Sequence, residues 1–200
     1  MHFKSRVLDF IEVYVRKEPT SPLVMDLVPA LIEVVRSARP DEASFADKAS
    51  KILKSKLFKI TEPPKSNVDV EKTLENLRQL HNSARNAPSP GFLTMLAEAS
   101  IFLGRVLCHL GQTDQVADVY LESLNDFVTR RKSRLNTTFF GQWIKRQLLA
   151  AWRIRDGILE LCGNGKSVNA FRHLQAFQIL QELISTGHSL VRILMTCPAM

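Results

Sequence analysis

The residues that most suggest chemistry are Gly163-Asn164-Gly165-Lys166-Ser167. The last three match the end of a loop in which backbone N–H groups and a lysine cradle nucleotide phosphates. Such a loop needs its first glycine at position 160, where this chain has Glu160. It must also follow a strand and turn onto a helix N-terminus. A carboxylate at 160 repels phosphate, and the preceding segment has helical spacing. The stretch therefore reads as a helix–helix turn, with Ser167 capping the next helix. Cys108 and His109 are adjacent, so on a helix they point about 100° apart and do not form a nucleophile–base pair. The five histidines (His2, His81, His109, His173, His188) show no metal-ligand spacing. Asp114, Asp118 and Glu122 share a helix face near its N-terminus, where acids complement the dipole. No catalytic, cofactor-binding or metal-ligating set is expected, and no small-molecule substrate.

A basic run is more informative. Arg130, Arg131, Lys132, Arg134, Lys145, Arg146, Arg153 and Arg155 fall between 130 and 155 with no acid among them. The whole chain has a formal charge of +7, so everything outside that run nets −1. One reading is a solvated face that follows a helix C-terminus. A second is a contact with a polyanion such as DNA or RNA, by counterion release. A third takes Arg131-Lys132-Ser133-Arg134 as an import-like cluster. Arg130-Arg131-Lys132-Ser133 also has the form of a basophilic-kinase target, where phosphate would remove nearly two units of charge.

Helical periodicity positions these residues. Phe3, Val7, Phe10, Ile11 and Tyr14 share one face of a first helix that stops at Glu18-Pro19. Thr20 or Ser21 can cap the second, which is apolar nearly all round from Leu23 to Val35 and carries Pro29 in its middle. A kink is expected there. A third helix presents Phe45, Ala49, Ile52 and Leu53 inward and lysines outward. Loops are expected near 61–69, 86–91, 131–137 and 163–167. Between them run a narrow stripe through Val70, Leu74, Leu77, Leu80 and Ala84, and a long apolar helix ended by Gly111. A further helix is capped by Thr113. Phe139, Phe140, Trp143 and Ile144 begin another that reads through to about Leu161. Phe171 to Ile184 mark the last long helix, with a shorter one after Gly187.

No stretch alternates as a strand does. The expectation is an all-α chain of about eight or nine helices forming a single region over 1–200. Its architecture is expected to be an α-solenoid of HEAT/armadillo-like antiparallel helix pairs. The composition, 45% hydrophobic and 24% charged, is that of a packed domain. No membrane span or signal segment is read from the sequence. Cys108, Cys162 and Cys197 are too few and too scattered for a disulfide framework, which points to a reducing compartment.

Several stretches together carry a family likeness: His2-Phe3-Lys4-Ser5-Arg6-Val7-Leu8-Asp9, Ser21-Pro22-Leu23, and Ala49-Ser50-Lys51-Ile52-Leu53 before Lys56-Leu57. They continue in Val119-Tyr120 with Ser123-Leu124, Thr129-Arg130-Arg131-Lys132-Ser133-Arg134-Leu135, Phe139-Phe140 and Ile144-Lys145-Arg146. The last stretch is Arg172-His173-Leu174-Gln175-Ala176-Phe177-Gln178-Ile179-Leu180-Gln181. In these the chain resembles the Myb-binding protein 1A family, also called DNA polymerase phi or the yeast fifth-polymerase family. The resemblance implies a non-enzymatic nuclear and nucleolar helical-repeat scaffold. Its implied partners are transcription factors and nucleolar proteins. Its implied roles are ribosomal RNA gene regulation, co-repression and ribosome biogenesis. Family members are several times longer, so this chain is expected to be part of a longer helical region. The alternative, a nucleotide-handling enzyme of DNA-polymerase type, finds no metal–carboxylate motif in the sequence.

Overall fold

The computed structural model describes residues 2–64, 66–163 and 165–196, with side chains described for 4–64, 66–163 and 165–188. Cys197 and Asn164 lie outside the described residues, as do the side chains of His2 and Phe3. Among the described residues all regular structure is helical. The α-helices are α1 (His2–Lys17), α2 (Leu23–Ser37), α3 (Ala43–Ser55), α4 (Val70–Arg85) and α5 (Pro90–His109). They continue as α6 (Thr113–Thr129), α7 (Thr137–Arg146), α8 (Leu148–Arg153), α9 (Arg155–Leu161) and α10 (Ala170–Thr196). The chain divides into two compact units, Met1–Leu80 with Glu98–Gly111 and His81–Ala97 with Gln112–Met200.

In the first unit α1 and α2 pack on α3. The face that α1 buries differs from the expected one. Leu8 and Val15 are buried and Ile11 half-buried, whereas Val7 is exposed and Phe10 is 74% exposed. Leu8, Ile11 and Val15 form an equally regular helical series, rotated by roughly a quarter-turn from the expected one. Ion pairs accompany the Leu8 series. Asp9 and Glu12 meet Lys48 and Lys56 of the α3 segment at 2.6 and 3.5 Å, and Lys4 meets Glu42 at 2.7 Å.

The second helix also departs from expectation. It buries one side through Val24, Met25, Val28, Leu31 and Ile32 and leaves Leu23 exposed. Ser21 makes no side-chain capping bond to it, and its hydroxyl accepts a hydrogen bond from Tyr14 OH at 2.5 Å. The chain after α3 is anchored by Arg105, whose guanidinium donates to Ile60 O and lies 5.6 Å from the Phe102 ring centre. Among the described residues α5 is the one helix long and apolar enough to cross a membrane, but most of it is buried within the protein. Gly111 follows it at φ +82°, as the C-terminal glycine predicts.

The second unit is built on aromatic rings. Tyr120 of α6 stacks parallel on Trp143 of α7, with ring centres 3.9 Å apart. His81 stands edge-on to Tyr120 at 4.4 Å and to Phe139 at 5.3 Å, and Phe127 packs on Phe140. Buried aromatic side chains contribute about 1.5–3 kcal/mol each relative to exposure, so these rings dominate the core. The helix expected to continue from Phe139 to Leu161 is instead broken into α7, α8 and α9. Gln147 (φ −136°, ψ 50°) interrupts it first, and its side-chain oxygen accepts from Trp143 Nε1 at 3.0 Å. Ile154 (φ −101°, ψ 14°) interrupts it again. Neither break falls at glycine or proline.

Two caps also differ from the reading. Asn136 caps α7 by accepting from Phe139 N at 2.9 Å, and Asn169 caps α10 by accepting from Arg172 N at 2.8 Å. Ser167 and Thr113 make no such bond. The last helix is continuous through Gly187, where a Cβ would stand 3.2 Å from the Trp152 ring. A glycine there lets the tryptophan approach.

The buried His81 gives a pH-dependent stability. Its Nδ1 lies 2.7 Å from Ser123 Oγ. Burial, and secondarily the Arg85 charge, push its pKa down from 6.5 to about 3. The folded state therefore stays neutral at His81 where the unfolded chain takes up a proton. Stability from this group is whole above about pH 6.5 and falls by about 1.4 kcal/mol per pH unit below it, until about pH 3. Urea unfolding at pH 7 and pH 5 should differ by about 2 kcal/mol more in the native chain than in His81→Phe. Equal differences would show that His81 is not held neutral.

Candidate functional site

The eight cations of the basic run are all exposed, but the fold treats them differently. The corner between α6 and α7 is organised by Asp126, only 8% exposed at the last turn of α6. Its Oδ1 accepts from Arg130 Nη1 at 2.8 Å and its Oδ2 from Ser133 Oγ at 2.9 Å. Its carbonyl accepts from the Arg130 backbone N–H. Arg172 of α10 closes the corner from the other side. Its Nη2 donates to Ser133 O at 3.0 Å, and its guanidinium lies 4.1 Å from the Phe127 ring centre. Partial burial pushes the Arg172 pKa down from its ordinary value. Arg134 N donates to Arg85 O, and Leu135 is buried. The backbone of 130–135 is thus fixed.

Ser133 is held inside this corner with its hydroxyl on a carboxylate, so it is not presented as the kinase pattern expects. By contrast Arg131, Lys132 and Arg134 project into solvent with no carboxylate partner among the described residues. Arg146 at the end of α7 is in the same state. The remaining cations are paired: Arg130 with Asp126, Lys145 with Glu182 at 3.2 Å, Arg153 with Asp114 at 3.4 Å and Arg155 with Asp156 at 3.4 Å.

These partners also separate the run in space. Asp114 and Asp126 lie at opposite ends of α6, and 12 helical residues span about 18 Å. The fold therefore places Arg153 at one end of α6 and the Arg130 corner at the other. The eight cations do not make one continuous patch. Of the run, Arg131, Lys132 and Arg134 remain together at the corner with no described carboxylate to neutralise them.

The other chemistry-bearing residues are occupied structurally. Lys166 bonds Glu160 at 2.9 Å, and that contact holds the Glu160 carboxyl below its ordinary range. The segment follows α9, not a strand, and α10 begins only at Ala170. His109 is exposed and Cys108 half-buried at the end of α5, while burial pushes the Cys162 thiol up. Among the described residues no three His, Cys, Asp or Glu side chains are grouped to hold a metal. His81 and Ser123 make a contact of nucleophile–base form, but both are fully buried in the aromatic core. Arg85 donates to Glu122 at 3.0 Å beside them. Sequence reasoning missed Asp126 and Arg172, which build the corner. The only signal for Asp126 was its place four residues before Arg130, the spacing of a helical ion pair.

Removing the corner's charge should loosen it selectively. Asp126→Asn keeps the shape but removes the anion from Arg130 and Ser133, with an expected loss of about 2–3 kcal/mol in urea unfolding. Trypsin should then cut after Arg131 and Lys132 faster than at other exposed sites. Unchanged stability and unchanged nicking would mean that other contacts hold the corner.

Comparison with known proteins bears on what such a surface belongs to. A family model described as Myb-binding protein 1A-like, TPR repeats, matches residues 18–196. A protein of Drosophila melanogaster named Myb-binding protein 1A is 25% identical over 207 residues, covering 91% of this chain and 18% of its own length. The chain thus spans under a fifth of that relative. No solved structure matches. The all-helical α-solenoid expectation holds, with the repeats described as TPR where the sequence reading took them as HEAT or armadillo. This chain belongs to the Myb-binding protein 1A-like TPR-repeat family.

Proposed function

We propose that this chain is a non-enzymatic scaffold of the nucleus and nucleolus that binds transcription factors and nucleolar proteins. Its roles on this reading are regulation of ribosomal RNA genes, co-repression and ribosome biogenesis. The relative's name describes binding to Myb, and TPR-type helix pairs present extended surfaces suited to protein partners. The lysine that an enzymatic nucleotide site would need is bonded to Glu160.

The observation that carries a nucleic-acid contact is the α6–α7 corner. Asp126 and Arg172 fix its backbone while Arg131, Lys132 and Arg134 project outward unpaired by carboxylates. Cations on a fixed backbone lose little freedom when phosphates bind them. They also release condensed counterions from DNA or RNA.

A salt titration of DNA and RNA binding tests this part. For Arg131→Ala/Lys132→Ala/Arg134→Ala the log–log salt slope should shallow by about 0.9 per lost contact, or about 2.7 if all three bind phosphate. An unchanged slope would remove the nucleic-acid contact from the corner and leave the protein partners. Those are tested by affinity capture from nuclear extract, where enrichment of transcription factors over a control protein is the expected result.

A further inference from the structure

The first unit holds a cleft of about 330 Å³ between the ends of two helices. Arg16 in the last turn of α1, with Thr20 after it, forms one wall. Lys56, Lys59 and Thr61, in the chain that leaves α3, form the other. Val15 and Ile60, both buried, and half-buried Pro19 supply an apolar lining. Both walls are pinned from behind. The turn that carries Pro19 and Thr20 is tied by the Tyr14 hydroxyl to Ser21. The turn that carries Lys59 and Thr61 is tied by the Arg105 guanidinium to Ile60 O.

The cations on these walls are not consumed by the fold. Arg16 and Lys59 are exposed and enter no ion pair among the described residues. Lys56 stands 3.5 Å from Glu12, longer than a direct hydrogen bond, in a pair that is partly exposed on both sides. Glu62 also lines the cleft and forms no ion pair with any of the three. Cations commonly complement the carbonyls of a helix C-terminus. Here those carbonyls are taken by backbone N–H groups: Tyr14 O by Glu18 N, Ile52 O by Lys56 N, Lys56 O by Lys59 N. Three cations around one concave, partly apolar space focus a field on an anion inside it.

The lining selects the anion. A guanidinium fork, two ammonium groups and two threonine hydroxyls suit a compact group with several acceptor oxygens. A phosphorylated side chain brings three such oxygens and nearly two charges, where a carboxylate brings two oxygens and one charge. The apolar lining then has a use if the residue beside the phosphate is apolar. The volume lies at the low end of small-ligand pockets, about 300–1,000 Å³, so a nucleic-acid duplex does not enter. We propose that this cleft takes a phosphoserine or phosphothreonine of a partner protein. The phosphate sits among Arg16, Lys56 and Lys59, and a neighbouring apolar side chain lies on Val15, Pro19 and Ile60. The site rests on the scaffold reading and names the class of segment that the scaffold takes.

The probe is a random library of peptides of about nine residues, about 30 Å when extended, with a central phosphoserine. The immobilised 200-residue chain should retain it over the same library with plain serine. For the retained sequences, Arg16→Ala/Lys59→Ala should weaken binding by about tenfold or more in fluorescence anisotropy. Both side chains are exposed and unpaired, so helicity and melting should hold, and Lys56→Gln is an independent second variant. Lys17→Ala/Lys54→Ala removes two cations from the same helix ends that do not line the cleft, and should bind as the native chain does. The site is overturned by no retention, by equal retention of the plain library, or by native affinity in both cleft variants. It is also overturned by an equal loss in Lys17→Ala/Lys54→Ala, which would mean diffuse surface charge. Tighter binding of a single-stranded oligonucleotide, or of vesicles with phosphoinositide headgroups, would overturn it as well. A chain that ignores phosphopeptides but enriches transcription factors from nuclear extract loses this site and keeps the scaffold reading. One that binds phosphopeptides but enriches none keeps the site and loses that reading.

Discussion

The second unit's exposed chemistry depends on one carboxylate that is almost fully buried. Asp126 sits in the last turn of α6, where the helix dipole already disfavours an anion. An ionised carboxylate in that position must find compensating donors. They come from Arg130 and Ser133, four and seven residues on. Only a chain that leaves the helix at Thr129 and folds straight back can deliver both. Arg172, stacked over Phe127, then locks the Ser133 carbonyl to α10. The cations that cannot reach Asp126 are turned outward on a backbone that no longer moves freely. Surface charge here is a by-product of satisfying a buried one.

Much of the fold could be read from periodicity, and the exceptions are instructive. The stripe through Leu74, Leu77 and Leu80, the apolar α5 and the Gly111 stop required only the 3.6-residue period and the left-handed freedom of glycine. In α1 two apolar series competed, and packing on α3 buries Leu8 and Val15 where Val7 and Phe10 stay exposed. No one-dimensional pattern contains that information. The breaks at Gln147 and Ile154 were equally hidden, because residues of ordinary helix propensity stand at both. Tertiary packing overrides local preference there: Gln147 leaves the helix with its side chain bonded to the indole of Trp143.

The candidate site was legible in its charge and illegible in its geometry. Counting cations from 130 to 155 located the basic segment, yet a count cannot say which of them a carboxylate will neutralise. Four are paired within the fold, through acids as remote in sequence as Asp114 and Glu182. Exposed pairs of this kind contribute little to stability, about 0–1 kcal/mol each. They nevertheless reduce the charge that a ligand meets. What survives at the corner is Arg131, Lys132 and Arg134. The corner matters less for how many cations it has than for how rigidly it presents them.

Two kinds of surface coexist on this unit, and their physics differs. Exposed cations act through water and are screened within about 8 Å at physiological ionic strength, so they steer encounters more than they hold a partner. The Arg130 corner and Arg153 are separated by about 18 Å along α6, more than two such lengths. The corner therefore acts on its own, not as part of a protein-wide field. Exposed apolar side chains of α10 such as Phe177 and Ile184 add nothing at a distance, but they gain free energy once a partner excludes water from them. Anything bound at the corner and anything bound against α10 would thus respond to different variables, salt for the first and apolar truncation for the second.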